Sequence, residues 1–160
     1  MYDLLIKHGT LVDGTGAPRF QADVAVKDGV IVKIADAIEG EAERVIDATG
    51  LIVSPGFIDT HTHTDKVIFK PELTGYNHLE DGATTELAGQ CGSQATPYYG
   101  EFDPSLGISE EEYAKICENY TTYFAYADSI PHGPNIAFFA GQGPIRGKVM
   151  GFGAGTPNEE

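Results

Sequence analysis

The stretch from residue 51 to residue 65 constrains the fold of this chain most strongly. It begins apolar, passes a Pro-Gly pair and ends on His61 and His63. Alternate side chains of an extended strand point to the same face, so both imidazoles would project from one strand end. An apolar strand that turns polar at its C-terminal end is typical of parallel α/β barrels. We therefore predict a buried strand, Leu51–Asp59, that delivers two nitrogen ligands to a divalent metal. Two histidines on an ordinary surface strand are the alternative.

Charge and cysteine content exclude several classes of function. The chain carries 10 basic and 24 acidic side chains, a formal net charge of -14, which disfavours binding to nucleic acid or anionic membranes. Its two cysteines, Cys91 and Cys117, imply no disulfide framework. Neither a signal-peptide pattern nor an apolar run near the ~20 residues of a membrane span is present, so we expect a cytoplasmic protein.

Residues 1–53 read as a small antiparallel β domain of short strands joined by tight turns. We predict turns at His8-Gly9 and at Asp28-Gly29. The second lies between alternating apolar runs and is a strong hairpin signal, because both turn positions need positive φ. A further strand covers Arg44–Asp47.

Residues 54–160 alternate between strand and helix patterns, which predicts a parallel α/β sheet. After the strand at residue 51, further strands are expected at Ala83–Ala88 and Asn135–Ala140. A short helix is expected over residues 71–81, with Leu73, Tyr76 and Leu79 facing inward. A longer helix should begin at Ser109, which with Glu112 fits a capping box. Its apolar face would consist of Tyr113, Ile116, Cys117, Tyr120, Phe124 and Ala127.

The three predicted strands end at residues that could share one site. In a parallel barrel the strand ends lie on one rim, so His61, His63 and Cys91 are candidate ligands of one metal. A thiolate with imidazoles suits zinc. Asp59 and Asp65 could orient the imidazoles, or be ordinary polar residues at a strand end.

The remaining polar candidates have simpler interpretations. Arg146 could bind a substrate carboxylate through two hydrogen bonds, although a solvent-exposed arginine is the more common case. Cys117 is expected to pack in the core. The glycine-rich stretch 141–147 lacks the Lys-Ser/Thr of a phosphate loop and is expected to be a tight turn after the third strand. Surface positions are expected for three histidines: His8, His78 and His132.

These motifs resemble those of the amidohydrolase superfamily. The similarity is carried by the N-terminal β unit, by residues 47–51 and by Pro-Gly-Phe-Ile-Asp-Thr-His-Thr-His at 55–63. Gly-Gln-Cys-Gly at 89–92 resembles the Gly-Asn-Cys-Gly of the N-acyl-D-amino-acid deacylases (D-aminoacylases), in which the cysteine is a metal ligand. Residues 12–19 and the Gly-x-Gly-x-x-Arg of residues 141–146 add to the resemblance.

The resemblance implies zinc-dependent hydrolysis of N-acyl-D-amino acids to a carboxylate and a D-amino acid. His61 and His63 match one metal position, and Cys91 matches a ligand of the other or a bridge. Two departures concern the substrate fit: Gln142 replaces the histidine of Gly-His-Gly, and Thr64 replaces a frequent aspartate.

Length is the larger departure. A (β/α)8 barrel needs ~250 residues, and residues 54–160 cover fewer than half of that. The later histidine ligands and the general base of the family are therefore expected outside this chain, and its catalytic residue is unknown. We expect the chain to be truncated and inactive alone.

Two other functions compete with the deacylase. One is a non-catalytic piece that acts only by association with another chain, the missing C-terminal part or a second copy, through open sheet edges. The other is a cyclic-amide hydrolase of the hydantoinase or dihydroorotase type. Cys91 favours the deacylase, since those enzymes use a carbamylated lysine as the bridging ligand.

Overall fold

A computed structural model describes residues 1–70 and 76–158 of the chain. The chain divides into two compact units, Met1–Pro55 and Gly56–Glu160. Within the described residues, every helix is too short or too polar to cross a bilayer.

The first unit is a five-stranded sheet. Its strands are β1 (Tyr2–Leu11), β2 (Phe20–Lys27), β3 (Val30–Ala35), β4 (Ala42–Asp47) and β5 (Ile52–Val53). The sheet order is β3-β2-β1-β4, with β5 also beside β1. β1 pairs antiparallel with β2 but parallel with β4 and β5. The predicted antiparallel unit is therefore a mixed sheet. The connection from β3 to β4 crosses to the far edge, and Ile38 within it packs against Leu5 and Ala25.

The two predicted turns of this unit had different outcomes. Asp28 and Gly29 have φ values of 52° and 73°, which confirms the hairpin turn between β2 and β3. The turn predicted at His8-Gly9 is wrong, because β1 continues through it with a shift in register between Ile6 and Gly9. His8 has a φ of 61°, and its N–H donates to Asp23 Oδ1 at 2.8 Å. The His8-Gly9 pair therefore marks a β-bulge within a long strand.

The second unit contains a parallel sheet of three strands in the order β6-β7-β8. These are β6 (Phe57–Thr62), β7 (Ala83–Ala88) and β8 (Asn135–Phe138). The predicted buried strand Leu51–Asp59 is instead two strands, β5 and β6, which belong to different sheets. It is also not buried: Phe57 and Ile58 expose 63% and 62% of their surface. Apolar sequence predicted burial, but the described residues do not cover these side chains.

Helices connect the strands of the second unit. They are α1 (Thr64–Val67), α2 (Tyr76–Glu80), α3 (Glu110–Ile116), α4 (Tyr120–Ser129) and α5 (Gln142–Met150), with a 3-10 turn at Pro104–Leu106. Residues 71–75 of the helix predicted over 71–81, Leu73 among them, lie outside the described residues. The remaining part is observed as α2, but Tyr76 is exposed and Leu79 half-buried. The turn predicted at 141–147 is wrong, since Gly141 is the N-cap of α5.

The long helix predicted after Ser109 is divided into α3 and α4. Ser109 Oγ accepts the Glu112 N–H at 3.2 Å, as expected of an N-cap. The reciprocal capping box occurs at α4 instead, where Asn119 and Thr122 each accept from the other's backbone. This second N-cap ends the first helix, because a new helix start requires extended backbone at Asn119.

The second unit contains a core rich in aromatic side chains. Its buried members are Ile68, Phe69, Ala95, Leu106, Tyr113, Cys117, Tyr123 and Ala127. The break between helices rotates the apolar face, so Tyr123 is buried and the predicted Phe124 is exposed. Cys117 is buried, as predicted, and burial raises its pKa to about 12.

Candidate metal centre

Three side chains predicted as metal ligands lie together in the second unit. The ligand atoms of His61, His63 and Cys91 all fall within 4.8 Å of one another. His61 Nε2 lies 2.7 Å from Cys91 Sγ, and the two imidazole ring centroids are 6.3 Å apart. All three side chains are exposed. They therefore present two nitrogens and one sulfur to the same open space.

The histidines reach this position because β6 and β7 run parallel with their ends side by side. Thr62, between the histidines, pairs with Ala88 at the end of β7. His63 is the N-cap of α1, but its side chain makes no capping hydrogen bond, which leaves the imidazole free for a ligand. Asp59 Oδ1 accepts the His61 N–H at 3.0 Å and fixes the backbone before α1.

Cys91 lies in a loop, Gly89–Gly92, that closes on itself. The Gly92 N–H donates to Gly89 O, and both glycines have positive φ, 68° and 94°. Such values are open to glycine without the strain that a Cβ adds. A Cβ on Gly89 would also overlap the carbonyl oxygen of Phe139, at the end of β8. Glycines flank Cys91 because the backbone turns tightly there beside β8.

Gln94 secures this loop from within. It is 1% exposed, and its Oε1 accepts the Gly141 N–H at 2.6 Å and the Tyr120 hydroxyl at 2.9 Å. Its Nε2 donates to Phe139 O. Gln94 therefore connects the cysteine loop to β8, α4 and the start of α5.

Asp65, the other predicted orienting carboxylate, is fully buried. Its Oδ2 accepts the Ala95 N–H at 2.7 Å, while Oδ1 has no hydrogen-bond partner among the described residues. Burial raises the pKa of this carboxyl group. The Tyr123 hydroxyl donates to Asp65 O and ties the turn after His63 to the aromatic core. The side-chain carboxylates of both candidate aspartates thus accept hydrogen bonds from backbone amides.

Arg146 lies on α5, and its guanidinium is engaged locally. Nη2 donates to the carbonyl oxygens of Gly153 and Gly155 at 3.1 and 3.4 Å, and Nη1 lies 3.5 Å from Met150 Sδ. These contacts hold the turn that follows α5. A substrate role for Arg146 would require some of them to be exchanged.

One buried residue near the site was missed by the sequence reasoning. Glu86 of β7 is 0% exposed and lies 2.6 Å from His78 Nδ1 through its Oε1. His78 was predicted to be a surface residue, but its imidazole contacts this buried carboxyl group. His8 and His132 lie at an exposed bulge and in a half-buried turn. An acidic residue in the middle of an otherwise uncharged strand was the available signal for Glu86.

The donor set of the centre fits zinc. Thiolate and imidazole are borderline-soft ligands that zinc accepts in protein sites, whereas calcium and magnesium require oxygen ligands. Three protein ligands with an open side is also the arrangement of catalytic zinc sites.

Comparison with known proteins identifies relatives of the chain. The family model described as "Amidohydrolase family" matches residues 44–125. A D-aminoacylase of Alcaligenes xylosoxydans xylosoxydans is 32% identical over 93% of this chain and 31% of its own length.

Solved structures show the same relationship. An N-acyl-D-glutamate deacylase of Bordetella bronchiseptica, complexed with zinc and a phosphonate inhibitor, superposes with a TM-score of 0.74 and 36% identity, over 93% of this chain and 31% of its own. A D-aminoacylase structure superposes with a TM-score of 0.75 and 31% identity, over 94% of this chain and 32% of its own. The chain thus spans about a third of the length of the relatives it matches.

Proposed function

This chain belongs to the amidohydrolase family, and on that premise we propose that it takes part in zinc-dependent hydrolysis of N-acyl-D-amino acids. The products would be a carboxylate and a free D-amino acid. The convergence of His61, His63 and Cys91 carries the proposal. The similarity to a D-aminoacylase and to an N-acyl-D-glutamate deacylase supports this substrate class.

The three ligand side chains would hold the zinc ion. Zinc, when bound, supplies a Lewis acid and lowers the pKa of water to about 7. Cys91 would bind as thiolate and the histidines as neutral imidazoles, so metal binding should weaken as the pH falls. The exposure of all three residues leaves room for a small substrate on the open side.

Proton transfer requires a further group. Asp59 and Asp65 accept hydrogen bonds from backbone amides, and Asp65 is fully buried. Neither carboxylate belongs to the group of converging ligand atoms, so we assign the general base to neither. We propose that this base lies outside the described residues, as the similarity to much longer enzymes would require.

We further propose that the second unit needs another stretch of polypeptide for activity. The outer strands of its sheet, β6 and β8, each pair on one side only among the described residues. The exposed Phe57 and Ile58 add apolar surface to one of these edges. Open edges and uncovered apolar side chains favour association with a further chain or segment.

Zinc binding by the purified 160-residue chain tests the metal assignment. We expect one zinc site, lost in the double variant His61→Ala/Cys91→Ala because only one of the three ligands would remain. Equilibrium dialysis with metal analysis measures the stoichiometry. His132→Ala is the matched control, since it removes a histidine outside the cluster and should retain the metal. Unchanged stoichiometry in the double variant would show that the site is assigned wrongly.

Turnover of N-acetyl-D-methionine by the same chain tests the need for a further segment. We expect no appreciable release of D-methionine, because no general base has been placed at the centre. Release of D-methionine in proportion to bound zinc would contradict this expectation while supporting the substrate class.

A further inference from the structure

Glu86 is a fully buried carboxylate with no part in the proposed chemistry. It lies in β7, paired in register with Asp59 of β6. A buried carboxyl group is costly unless hydrogen-bonding partners surround it. The partners of Glu86 therefore indicate its structural role.

Those partners come from two helices, α1 and α2. His78 Nδ1 of α2 lies 2.6 Å from Oε1, and the Thr64 hydroxyl of α1 donates to Oε2. Because the single hydroxyl proton of Thr64 goes to Glu86, Thr64 Oγ1 can accept from the Thr62 hydroxyl, which lies 3.2 Å away and has the Leu87 carbonyl oxygen, at 3.4 Å, as its other acceptor. We call these four side chains, Glu86, His78, Thr64 and Thr62, the Glu86 network. Thr62 and Thr64 are the two neighbours of His63 in the sequence.

We propose that Glu86 is a positioning residue for the histidine pair. It fixes the hydroxyls on both sides of His63 and so sets the backbone from which both imidazoles project. The carboxyl group links Thr64 to His78 of α2, so the histidine segment is tied to a second helix and does not depend on its own hydroxyls alone. The inference rests on the proposed metal centre, because positioning matters only if the histidines hold a ligand.

Disruption of the Glu86 network should affect the two histidines but not Cys91. The network reaches the histidine segment but not Cys91, whose loop is secured by Gln94. Loss of Glu86 should therefore weaken histidine coordination while the sulfur remains in place. Co²⁺ in place of zinc distinguishes sulfur coordination from histidine coordination. A thiolate ligand gives a charge-transfer band, whereas the ligand-field bands depend on all of the ligands.

The experiment compares Co²⁺ affinity and spectra of four variants of the chain. Glu86→Leu and Thr64→Val should each weaken Co²⁺ binding about 10- to 100-fold, the range typical of residues that support metal ligands. The double variant should be no weaker than the worse single variant, because both changes break one path. Glu86→Gln keeps an acceptor for Thr64 and should recover most of the affinity. The charge-transfer band should persist at saturation throughout.

Thr96→Val is the control. Thr96 is as buried as Glu86, and its hydroxyl donates to Cys117 O, which is not part of the Glu86 network. It should lose stability without a change in Co²⁺ affinity. If Glu86→Leu does not fold by circular dichroism, Thr64→Val and Glu86→Gln still decide the question. Wild-type affinity in a folded Thr64→Val, or additive losses in the double variant, would overturn the proposal.

Hydrogen exchange of metal-free protein separates this inference from the metal assignment. The amides of residues 61–64 should exchange faster in Thr64→Val than in wild type, and at the wild-type rate in Thr96→Val. If wild type binds no Co²⁺ but these amides exchange faster in Thr64→Val, the metal centre is assigned wrongly, while the role of Glu86 in positioning the segment is supported. Unchanged exchange in Thr64→Val would overturn the positioning role itself.

Discussion

The two segments that meet at the candidate metal centre are held in different ways. The histidine segment, residues 61–63, ends strand β6 and is fixed further by side chains: the Glu86 network, and Asp59 at the His61 amide. The cysteine loop, Gly89–Gly92, follows strand β7, and close backbone packing there adds to the hydrogen bonds that Gln94 makes beside it. A Cβ on Gly143 would overlap the carbonyl oxygen of Gly92, just as one on Gly89 would overlap that of Phe139.

This difference determines what each segment tolerates. A hydrogen bond between side chains can be weakened atom by atom, and the backbone can adjust to the change. Backbone packed against backbone has no flexible group to move, so one added methyl displaces the segment. The cysteine side of the centre should therefore respond to substitution more sharply than the histidine side.

Gly143→Ala should lower stability more than Gln94→Leu or Asp59→Ala. Gly143 is the second residue of α5, where alanine gains at most the ~1 kcal/mol that it has over glycine inside a helix. Overlap with the Gly92 carbonyl instead predicts a loss of about 1–3 kcal/mol, occasionally more. The two effects have opposite signs, so urea unfolding distinguishes them. Co²⁺ affinity should fall with stability, because Gly92 adjoins Cys91.

Gly153→Ala is the control for this substitution. Nothing lies within 4 Å of a Cβ at Gly153, and its φ is outside the left-handed region. Its unfolding midpoint should match that of wild type. A stabilised Gly143→Ala would show that the two backbones separate easily and that the contrast with the histidine segment is false.

Gln94→Leu should give an intermediate effect. Leucine has a similar volume but leaves the Gly141 N–H, the Phe139 carbonyl and the Tyr120 hydroxyl without their partner. An unsatisfied buried group costs about 1–3 kcal/mol, and relaxation of the three groups toward water should keep the total in the lower half of that range. Urea unfolding and Co²⁺ affinity should both decrease. Gln142→Leu, at an exposed position, should remain within about 0.5 kcal/mol of wild type.

The sequence predicted features that depend on a few neighbouring residues. The bounds of β7, the Asp28-Gly29 turn and the Ser109 N-cap each follow from local backbone preferences. The approach of Cys91 to His61 followed from strand order, because parallel strands place their ends at one edge.

Features that depend on what packs against a segment were not predictable. The apolar strand beginning at Leu51 was expected to be buried, yet Phe57 and Ile58 are exposed because nothing described covers them. The helix after Ser109 was expected to continue, since its apolar repeat runs across the break that Asn119 makes. Glu86 is a single residue that belongs to no repeating pattern in the sequence. Its role depends on Thr64 of α1 and His78 of α2, which contact it only in the folded chain.

Asp59 should give the smallest effect and sharpens the comparison on the histidine side. Its Oδ1 accepts the His61 N–H from an exposed position, where a lost hydrogen bond costs about 0.5–1.5 kcal/mol at most. We expect Asp59→Ala to lie at the low end of that range, and Asp59→Asn to match wild type because the acceptor oxygen is retained. Urea unfolding measures the stability, and Co²⁺ titration should show a loss several-fold smaller than that of Thr64→Val. If Asp59→Ala weakened Co²⁺ binding as much as Thr64→Val, the histidine segment would depend on its exposed backbone contact as much as on the buried Glu86 network.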